Sequence, residues 1–269
     1  MNNKMLDLDM LKLFAVKTGL GLKYLAKEER MSLLLVQLNE LMKEDIILKG
    51  GTALNRGYLY PMNTGRFSED IDLDYIKQES IDEKIKHIKK QIGKINEFTI
   101  AKPRMLHRTL RVDCGYINQL DEKDKIQIEF YLSRKKQISA PKSLLVQSQY
   151  IPGMATLFPV YHLEELIGQK LIALHNRKEG KDIYDLFYGL DLSIKKNELE
   201  RSLSNLFDHY HIKEDHDDFI KKVQAQLDEM VLNAYYIGNS TNHYIPRHLR
   251  PNWQMMITMV KEKIQKQLQ

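Results

Sequence analysis

Three aspartates alternate along a short stretch of the chain. Asp70, Asp72 and Asp74 are separated by single apolar residues in the segment SEDIDLDY. If this segment is a strand, all three carboxylates lie on one face, where they repel one another. A hard divalent cation such as Mg²⁺ relieves that repulsion and binds phosphate oxygens at the same time. The pattern therefore favours metal-assisted phosphoryl or nucleotidyl transfer, and an acidic sheet edge or a Ca²⁺-like loop is the alternative.

A glycine pair stands just upstream, where the chain can bind a phosphate. The apolar run 46–48 leads through Lys49 into Gly50 and Gly51, and Thr52 opens the segment TALNRGYLY. We expect a buried strand, a turn and a short helix for which Thr52 supplies the N-cap. Backbone N–H groups at such a turn and helix start can bind an anion. A phosphate-binding turn beside a metal site strengthens the prediction of nucleotide chemistry.

The two features together resemble the signature of a known family. KGGTAL followed by RFSEDIDL is similar to the motif of the nucleotidyltransferase AbiEii/AbiGii toxin family, part of the DNA-polymerase-β-like superfamily. The resemblance implies an α/β (α+β) fold, with a mixed-sheet nucleotidyltransferase domain followed by a C-terminal helical domain. It further implies that Asp70 and Asp72 hold one or two Mg²⁺ ions. Members of this family act as toxins in bacterial toxin–antitoxin or phage-defence systems, and some transfer nucleotides to tRNA acceptor ends.

A second motif of the same family is matched in the segment HLEELIGQKLIALHNRKEGKDIYDLFYGL. The family has a lysine in a helix, an arginine about two turns later, and a basic-Asp-x-x-Asp cluster. Here these are Lys170, Arg177 and the run from Lys181 to Asp185, where Lys181 replaces the usual arginine and loses its bidentate fork. The resemblance implies that Lys170 reaches the nucleotide phosphates and that Asp182 orients Lys170 or a sugar hydroxyl. A lysine crossing apolar helix surface and a carboxylate complementing a helix N-terminus are the alternatives.

The segment KIQIEFYL, at 125–132, offers a third carboxylate. Glu129 lies in the middle of this β-like run, where a buried carboxylate needs a cation or a hydrogen-bonding partner. The superfamily uses a third carboxylate on a neighbouring strand, so the resemblance implies that Glu129 completes the metal site; a solvent-facing glutamate is the alternative. The residues that the resemblance assigns to nucleotide binding are Lys49, Gly50, Gly51, Thr52, Arg66, Ser68, Lys170 and Asp185.

These residues must be positioned by elements that the rest of the chain supplies. We expect a division into 1–150, a catalytic domain with N-terminal helices, and 151–269, a helical domain that contributes Lys170 and Asp182 to the site. Ser80 is expected to cap a helix over 80–95. Strands are expected between 98 and 133, and a Pro/Ser-containing connection between 138 and 159. Further helices are expected at 6–43, 161–187, 195–209, 213–238 and 254–267, with a connecting loop at 243–253.

Composition restricts the class of protein. The chain of 269 residues has 43% apolar and 29% charged residues, which is ordinary for a globular protein, and its formal charge of +5 permits a nucleic-acid partner. Cys114 is the only cysteine, so no disulfide framework or cysteine metal cluster is expected, and the histidine spacing predicts no zinc site. No apolar stretch reaches the length of a membrane span, and we expect a cytosolic protein without a membrane partner.

Several basic residues surround the expected sheet and can follow an RNA backbone through phosphate contacts, although basic residues on solvated loops look the same in sequence. They are Arg104, His107, Arg108, Arg111, Arg134, Lys135 and Lys136.

The working hypothesis is a Mg²⁺-dependent toxin-like nucleotidyltransferase that moves NMP from an NTP to RNA, with the tRNA 3′ end as the favoured acceptor. The acceptor and a cognate antitoxin are implied by the resemblance alone. Transfer to a small-molecule or protein hydroxyl is one alternative. A non-catalytic nucleotide- or antitoxin-binding module is another, and the presence of both Asp70 and Asp72 argues against it.

Overall fold

The alternating segments form one mixed sheet of eight strands in the computed structural model, which describes residues 5–133 and 136–268. The strand order is β3-β5-β6-β2-β1-β8-β7, and β4 also pairs with β5. The strands are β1 Ile46–Lys49, β2 Asp70–Tyr75, β3 Thr99–Ile100, β4 Arg104–Leu106, β5 Thr109–Ile117, β6 Lys123–Tyr131, β7 Lys142–Val146 and β8 Thr156–Val160. With the helices below, this sheet confirms the predicted fold class.

The helices follow the apolar periodicity of the sequence, and a C-terminal helical part is present as predicted. They are α1 Leu8–Thr18, α2 Leu22–Met42, α3 Gly50–Ala53, α4 Ile81–Ile92, α5 Leu163–Asn176, α6 Gly180–Gly189, α7 Lys196–Tyr210, α8 His216–Leu232, α9 Ala234–Thr241 and α10 Trp253–Leu268. The Ser80 cap is confirmed, because its hydroxyl accepts the Glu83 N–H while the Glu83 carboxylate accepts the Ser80 N–H. The helix expected over 213–238 instead ends at Leu232, and α9 follows.

Strand pairing brings the acidic residues of different segments together. Strand β2 runs parallel to β6, so Asp72 lies beside Glu129. It runs antiparallel to β1, so Lys49 is the other neighbour of Asp72. The intervening residues of β2, Ile71 and Leu73, are fully buried on the opposite face. Burial of that apolar face fixes the register, because a slip by one residue would turn the carboxylates into the core.

Two hydrophobic clusters hold the fold together. The larger joins the sheet to α2, α4 and the C-terminal helices, so strand residues such as Leu48 and helix residues such as Leu171 share one core. The smaller combines α1 and the start of α2 with Phe67, Tyr150 and Ile151. Phe67 is fully buried there and therefore anchors the segment that leads into the aspartates.

The connection expected at 138–159 was a wrong prediction, since it contains the two strands β7 and β8. Pro159 made a strand look improbable, but it lies one residue before the end of β8, opposite Ser143 of β7. The expected domain boundary after residue 150 thus falls between two strands of one sheet. The division into two domains stays a prediction, with β8 on the helical side of it.

Among the described helices, none is long and apolar enough to cross a membrane. Cys114 is buried within the core cluster. Of the basic residues expected around the sheet, Arg134 and Lys135 lie outside the described residues.

Candidate active site

A small polar cleft of about 220 Å³ lies where the sheet meets the C-terminal helices. It brings together most of the residues predicted for the site, from three separate parts of the chain. Its walls consist of Gly51, Arg66, Ser68, Glu69, Asp70, Asp72, Glu129, Lys170, Arg177, Glu179, Lys181 and Tyr244. The predicted residues Lys49, Gly50, Thr52, Asp182 and Asp185 are not part of these walls. A larger groove, of about 1200 Å³, shares no lining residue with the cleft.

The glycine pair permits a close approach of backbone to side chains. Gly50 has a φ of 67°, and a Cβ there would lie 2.2 Å from Oδ2 of Asp72. A Cβ on Gly51 would lie 2.8 Å from Nη2 of Arg66 and 2.9 Å from Oγ of Ser68. A side chain at either position would therefore displace groups that line the cleft, and at Gly50 the positive φ disfavours any other residue as well.

Thr52 does not cap the helix, which corrects the prediction. Helix α3 begins at Gly50, so Thr52 already lies inside it and is fully buried. Its hydroxyl donates a hydrogen bond of 2.5 Å to the carbonyl of Asp70. This bond fixes the glycine turn relative to the strand that carries the aspartates.

Burial and mutual repulsion raise the pKa values of the two aspartates that line the cleft. Burial raises the pKa of Asp70 to about 6, and the neighbouring Asp72 and Glu69 contribute to the rise. Burial also raises the pKa of Asp72, with Glu129 acting in the same direction. Lys49 and Lys170 oppose the rise at Asp72 without cancelling it. A bound cation would offset this repulsion, and oxygen donors suit Mg²⁺.

Glu129 is held by partners that sequence reasoning did not identify. Its Oε1 accepts hydrogen bonds from Nη2 and Nε of Arg111, at 2.7 and 3.1 Å, and from Nε2 of Gln127 at 2.8 Å. The carboxylate is therefore oriented before any ligand binds. Cross-strand register would have indicated Arg111, which lies directly opposite Glu129 on β5.

The three predicted metal ligands do not converge as tightly as a closed metal site. In the described part of the chain, only His162, Glu164 and Glu198 place three ligand atoms within 4.8 Å of one another. Asp70, Asp72 and Glu129 are more widely spaced, as expected for an open site in which substrate and water supply further ligands. Their donor chemistry and mutual repulsion still fit a divalent cation.

A network of ion pairs contributes the basic residues Arg66, Lys170 and Arg177 to the walls of the cleft. Nζ of Lys170 lies 2.9 Å from Oδ1 of Asp182 and 2.7 Å from Oδ2 of Asp185. Arg66 pairs with Asp185 at 2.7 Å, and Arg177 pairs with Asp182 at 2.8 Å. Although burial opposes ionisation, these cations lower the pKa of both aspartates. The residues of the second motif therefore pair with one another around Lys170. Asp182 and Asp185 lie behind the cleft wall and hold its basic residues in place.

Lys49 and Asp74 form a close ion pair. Nζ of Lys49 lies 2.6 Å from Oδ1 of Asp74, and the hydroxyl of Tyr161 donates to Oδ2 of Asp74 at 2.6 Å. The Lys49 ammonium also lies 4.7 Å from the centre of the Tyr131 ring. Its assignment to the nucleotide phosphates stays a prediction.

The loop at 243–253 contributes a residue that the sequence reading missed. Tyr244 lines the cleft, and its hydroxyl donates to Oε2 of Glu69 at 2.5 Å. Its carbonyl accepts the N–H of Phe67 at 2.8 Å, which fixes the approach to the aspartates. The ammonium of Lys181 lies 5.0 Å from the Tyr244 ring centre. An aromatic residue in a basic, proline-containing loop was the only signal in the sequence.

Comparisons with known proteins agree with this geometry. The profile of a family described as "Nucleotidyl transferase AbiEii toxin, Type IV TA system" matches residues 33–267. No functionally curated protein matches the chain. MenT4, a nucleotidyltransferase toxin from Mycobacterium tuberculosis H37Rv, is a similar solved structure, with 16% identity, a TM-score of 0.58, and coverage of 98% of this chain and 88% of that chain. JHP933 from Helicobacter pylori has 19% identity, a TM-score of 0.54, and coverage of 92% and 96%.

Proposed function

The chain belongs to the nucleotidyl transferase AbiEii toxin family, and on that premise we propose that it transfers NMP from an NTP to an RNA hydroxyl. The 3′ end of tRNA is the favoured acceptor. One observation carries the proposal: Asp70 and Asp72, whose pKa values are raised by burial and mutual repulsion, line the same cleft of about 220 Å³ as Lys170, Arg66 and Arg177. Such a cleft can bind a metal ion and phosphates together.

We assign one or two Mg²⁺ ions to Asp70 and Asp72, with Glu129 as a further ligand. When bound there, Mg²⁺ would polarise the phosphate oxygens and stabilise the charge on the leaving pyrophosphate. The carboxylates would hold the cation because it would offset the repulsion that Lys49 and Lys170 leave uncancelled at Asp72. Arg111, on β5, fixes the orientation of the Glu129 carboxylate, which reduces the reorganisation needed during the reaction.

The remaining cleft residues position the nucleotide. The backbone at Gly51 and the hydroxyl of Ser68 can donate to phosphate oxygens, because both residues line the cleft. Arg66 and Lys170 are already paired with buried carboxylates, so they supply a fixed rather than a mobile positive field. Lys181 is less compensated, since its nearest paired carboxylate oxygen, on Glu179, is 4.0 Å away.

The proposed reaction forms a bond between the acceptor hydroxyl oxygen and the α-phosphorus of the NTP. The bond between the α-phosphorus and the pyrophosphate oxygen breaks, and the hydroxyl proton passes to a carboxylate of the cleft. An added nucleotide would prevent aminoacylation of a tRNA end and thereby stop translation, which explains a toxic effect. A cognate antitoxin follows from the family, and we place the activity in the cytosol, where NTP, Mg²⁺ and tRNA occur together.

Labelling of RNA tests the proposal directly. Purified protein is incubated with total tRNA, Mg²⁺ and each α-³²P-labelled NTP in turn, beside the Asp70→Ala and Lys170→Ala variants. Lys178→Ala serves as a control, because this lysine is half-exposed and does not line the cleft. We expect label in RNA with wild type and Lys178→Ala, and a loss of at least 100-fold in Asp70→Ala.

The outcomes separate the alternatives. Label from γ-³²P-NTP instead of α-³²P-NTP would show phosphoryl transfer and contradict nucleotidyl transfer. Nucleotide binding without any labelled RNA would exclude RNA as the acceptor, and small-molecule or protein hydroxyls would then be tested. Equal labelling by wild type and Asp70→Ala would show that this cleft is not the site of the reaction.

A further inference from the structure

The strand that supplies Glu129 has one partly exposed face that continues away from the cleft. Its apolar residues Ile126, Ile128 and Phe130 are fully buried. The alternate residues Gln127, Glu129 and Tyr131 are only partly buried and lie on the opposite face. Since Glu129 lines the cleft, this face offers a surface that leads directly to the proposed reaction centre.

Three aromatic rings gather at the end of this face. Tyr131 lies two residues beyond Glu129, a distance of about 7 Å along the strand. Its hydroxyl is 2.6 Å from Nε2 of His209 at the end of α7, and the two ring centres are 5.6 Å apart. The ring of Tyr210 follows at 4.9 Å from that of His209. Neighbouring rings meet edge to face, at interplanar angles of 71° and 80°, and Tyr210, which is 43% exposed, is the most exposed of the three residues. We call Tyr131, His209 and Tyr210 the aromatic platform.

Positive charge lies beside the platform. The carbonyl of Arg108, in the turn between β4 and β5, accepts the N–H of Leu132 at 2.8 Å, so this turn lies next to the end of β6. The side chain of Arg108 belongs to an exposed residue. On the same sheet, register places Arg111 opposite Glu129 and Arg104 opposite Arg111. A cross-strand row therefore runs from Asp72 through Glu129 to two arginines.

The acidic groups near this row do not abolish its attraction for phosphate. Asp113 pairs with Arg104 at 3.1 Å and with Lys125 at 2.8 Å, and both basic side chains are more than half exposed. Exposed ion pairs of this kind contribute little free energy, so a phosphate can compete for either cation. Aromatic rings next to basic residues are the combination that single-stranded nucleic acids require.

We propose that the aromatic platform and Arg108 bind the single-stranded 3′-terminal nucleotides of the acceptor RNA. A base would stack on the exposed Tyr210 ring of the platform while Arg108 and Arg104 contact the phosphates, so the terminal hydroxyl would be presented to Glu129 and Asp72. Because every base has a π face, this site accepts different termini without reading their sequence. The identification of the acceptor as RNA rests on the proposed function.

The Tyr210→Ala variant tests stacking. Binding of 5′-fluorescein-labelled tRNA is measured by anisotropy without NTP, and KM for tRNA and for NTP are measured by labelling. We expect Kd and KM for tRNA to rise roughly 5- to 150-fold, which corresponds to the loss of one stacked base, with KM for NTP unchanged. Tyr210→Phe should retain wild-type values. Tyr235→Ala, which removes a ring that is 75% exposed on α9, is the matched control.

The Arg108→Ala variant tests the phosphate contact. It should weaken tRNA binding and reduce the slope of log Kd against log salt concentration by about one. Lys89→Ala, which removes an exposed lysine of α4, should leave the slope unchanged. Circular dichroism melting of each variant excludes unfolding as the cause.

Binding and transfer fail in distinguishable ways. If wild type adds no nucleotide to RNA but Tyr210→Ala still weakens tRNA binding, the reaction is wrong and the platform is supported. If wild type labels RNA and Tyr210→Ala binds and reacts normally, the platform is wrong and the reaction stands. Equal effects of Tyr210→Ala and Tyr235→Ala would also overturn the platform, because they would show that any exposed ring has the same influence.

Discussion

Replacing Asp70 with asparagine should stabilise the folded protein at pH 8 although it removes a proposed metal ligand. The carboxylate of Asp70 lies near Asp72, Glu69 and Glu129, and burial together with these charges raises its pKa from an ordinary 3.8 to about 6. A raised carboxyl pKa means that the folded state holds the proton more tightly than the unfolded state. Stability is therefore lost as pH rises from about 4 to 6, and the loss persists above that range.

The size of the effect follows from the pKa values. A rise from 3.8 to about 6 corresponds to about 3 kcal/mol at pH 8, at roughly 1.4 kcal/mol for each factor of ten. Because Asp70 is partly exposed, solvent screening reduces this value, and we expect Asp70→Asn to gain about 1–2 kcal/mol. Near pH 4 the difference should fall below about 0.5 kcal/mol, since the folded-state carboxyl is then protonated in the wild type as well.

Urea unfolding measures this difference. The free energy of unfolding is determined for wild type and Asp70→Asn at pH 4 and pH 8 with chelator, and at pH 8 with Mg²⁺. Mg²⁺ at 100 times its dissociation constant should stabilise the wild type by about 2.7 kcal/mol and so reverse the order. Asp121→Asn, at an exposed turn with a φ of 57°, should change stability by less than about 0.5 kcal/mol.

Two results would refute this reasoning. One is an Asp70→Asn variant that is less stable than wild type at pH 8 in chelator, because the carboxylate would then be favourable in the folded state. The other is a difference that does not change between pH 4 and pH 8, because the effect would then not arise from ionisation of Asp70.

Three further substitutions probe the surroundings of the cleft. Gly50→Ala should lower the rate of RNA labelling at least tenfold and destabilise the fold by about 1–3 kcal/mol, because its Cβ would lie 2.2 Å from Oδ2 of Asp72. Wild-type activity of this variant would contradict the contact. Lys170→Met should reduce the free energy of unfolding in urea by about 3–5 kcal/mol by breaking its buried pairs, and a change below 1 kcal/mol would show that the pairs are not formed. Lys49→Met should reduce the free energy of unfolding by a similar amount, because it breaks the ion pair with Asp74, while KM for NTP stays within about twofold. A large rise in KM would instead assign Lys49 to the phosphates.

Local sequence patterns were sufficient to predict the elements that carry the site residues. The alternation at Asp70, Ile71 and Asp72 predicted a strand with its carboxylates on one face, and the structure has that strand. The capping signal at Ser80 predicted the start of α4. The glycine pair predicted a turn after the buried strand, and Gly50 adopts a positive φ of 67° there. These features depend on periods of two residues and on backbone sterics, which neighbouring residues alone determine.

Predictions from the sequence were wrong where local signals conflicted with contacts between distant segments. Strand β8 contains Pro159, so its composition favoured a connection, yet β8 pairs with both β1 and β7. Thr52 looked like a helix cap because it precedes an apolar segment, but the helix starts at Gly50 and the threonine hydroxyl binds the Asp70 carbonyl instead. In both cases tertiary contacts outweighed a weak local preference.

The partners of the charged residues were decided only by the tertiary structure. Sequence placed Lys49, Lys170 and Glu129 in one candidate site, whereas the fold paired Lys49 with Asp74, Lys170 with two aspartates of α6, and Glu129 with Arg111. Strand register and helix packing set which opposite charges come within 3 Å of one another, and no sequence period encodes that distance. The sequence by itself therefore determined which chemical groups are available, and the packing of distant segments determined which of them remain for the substrate.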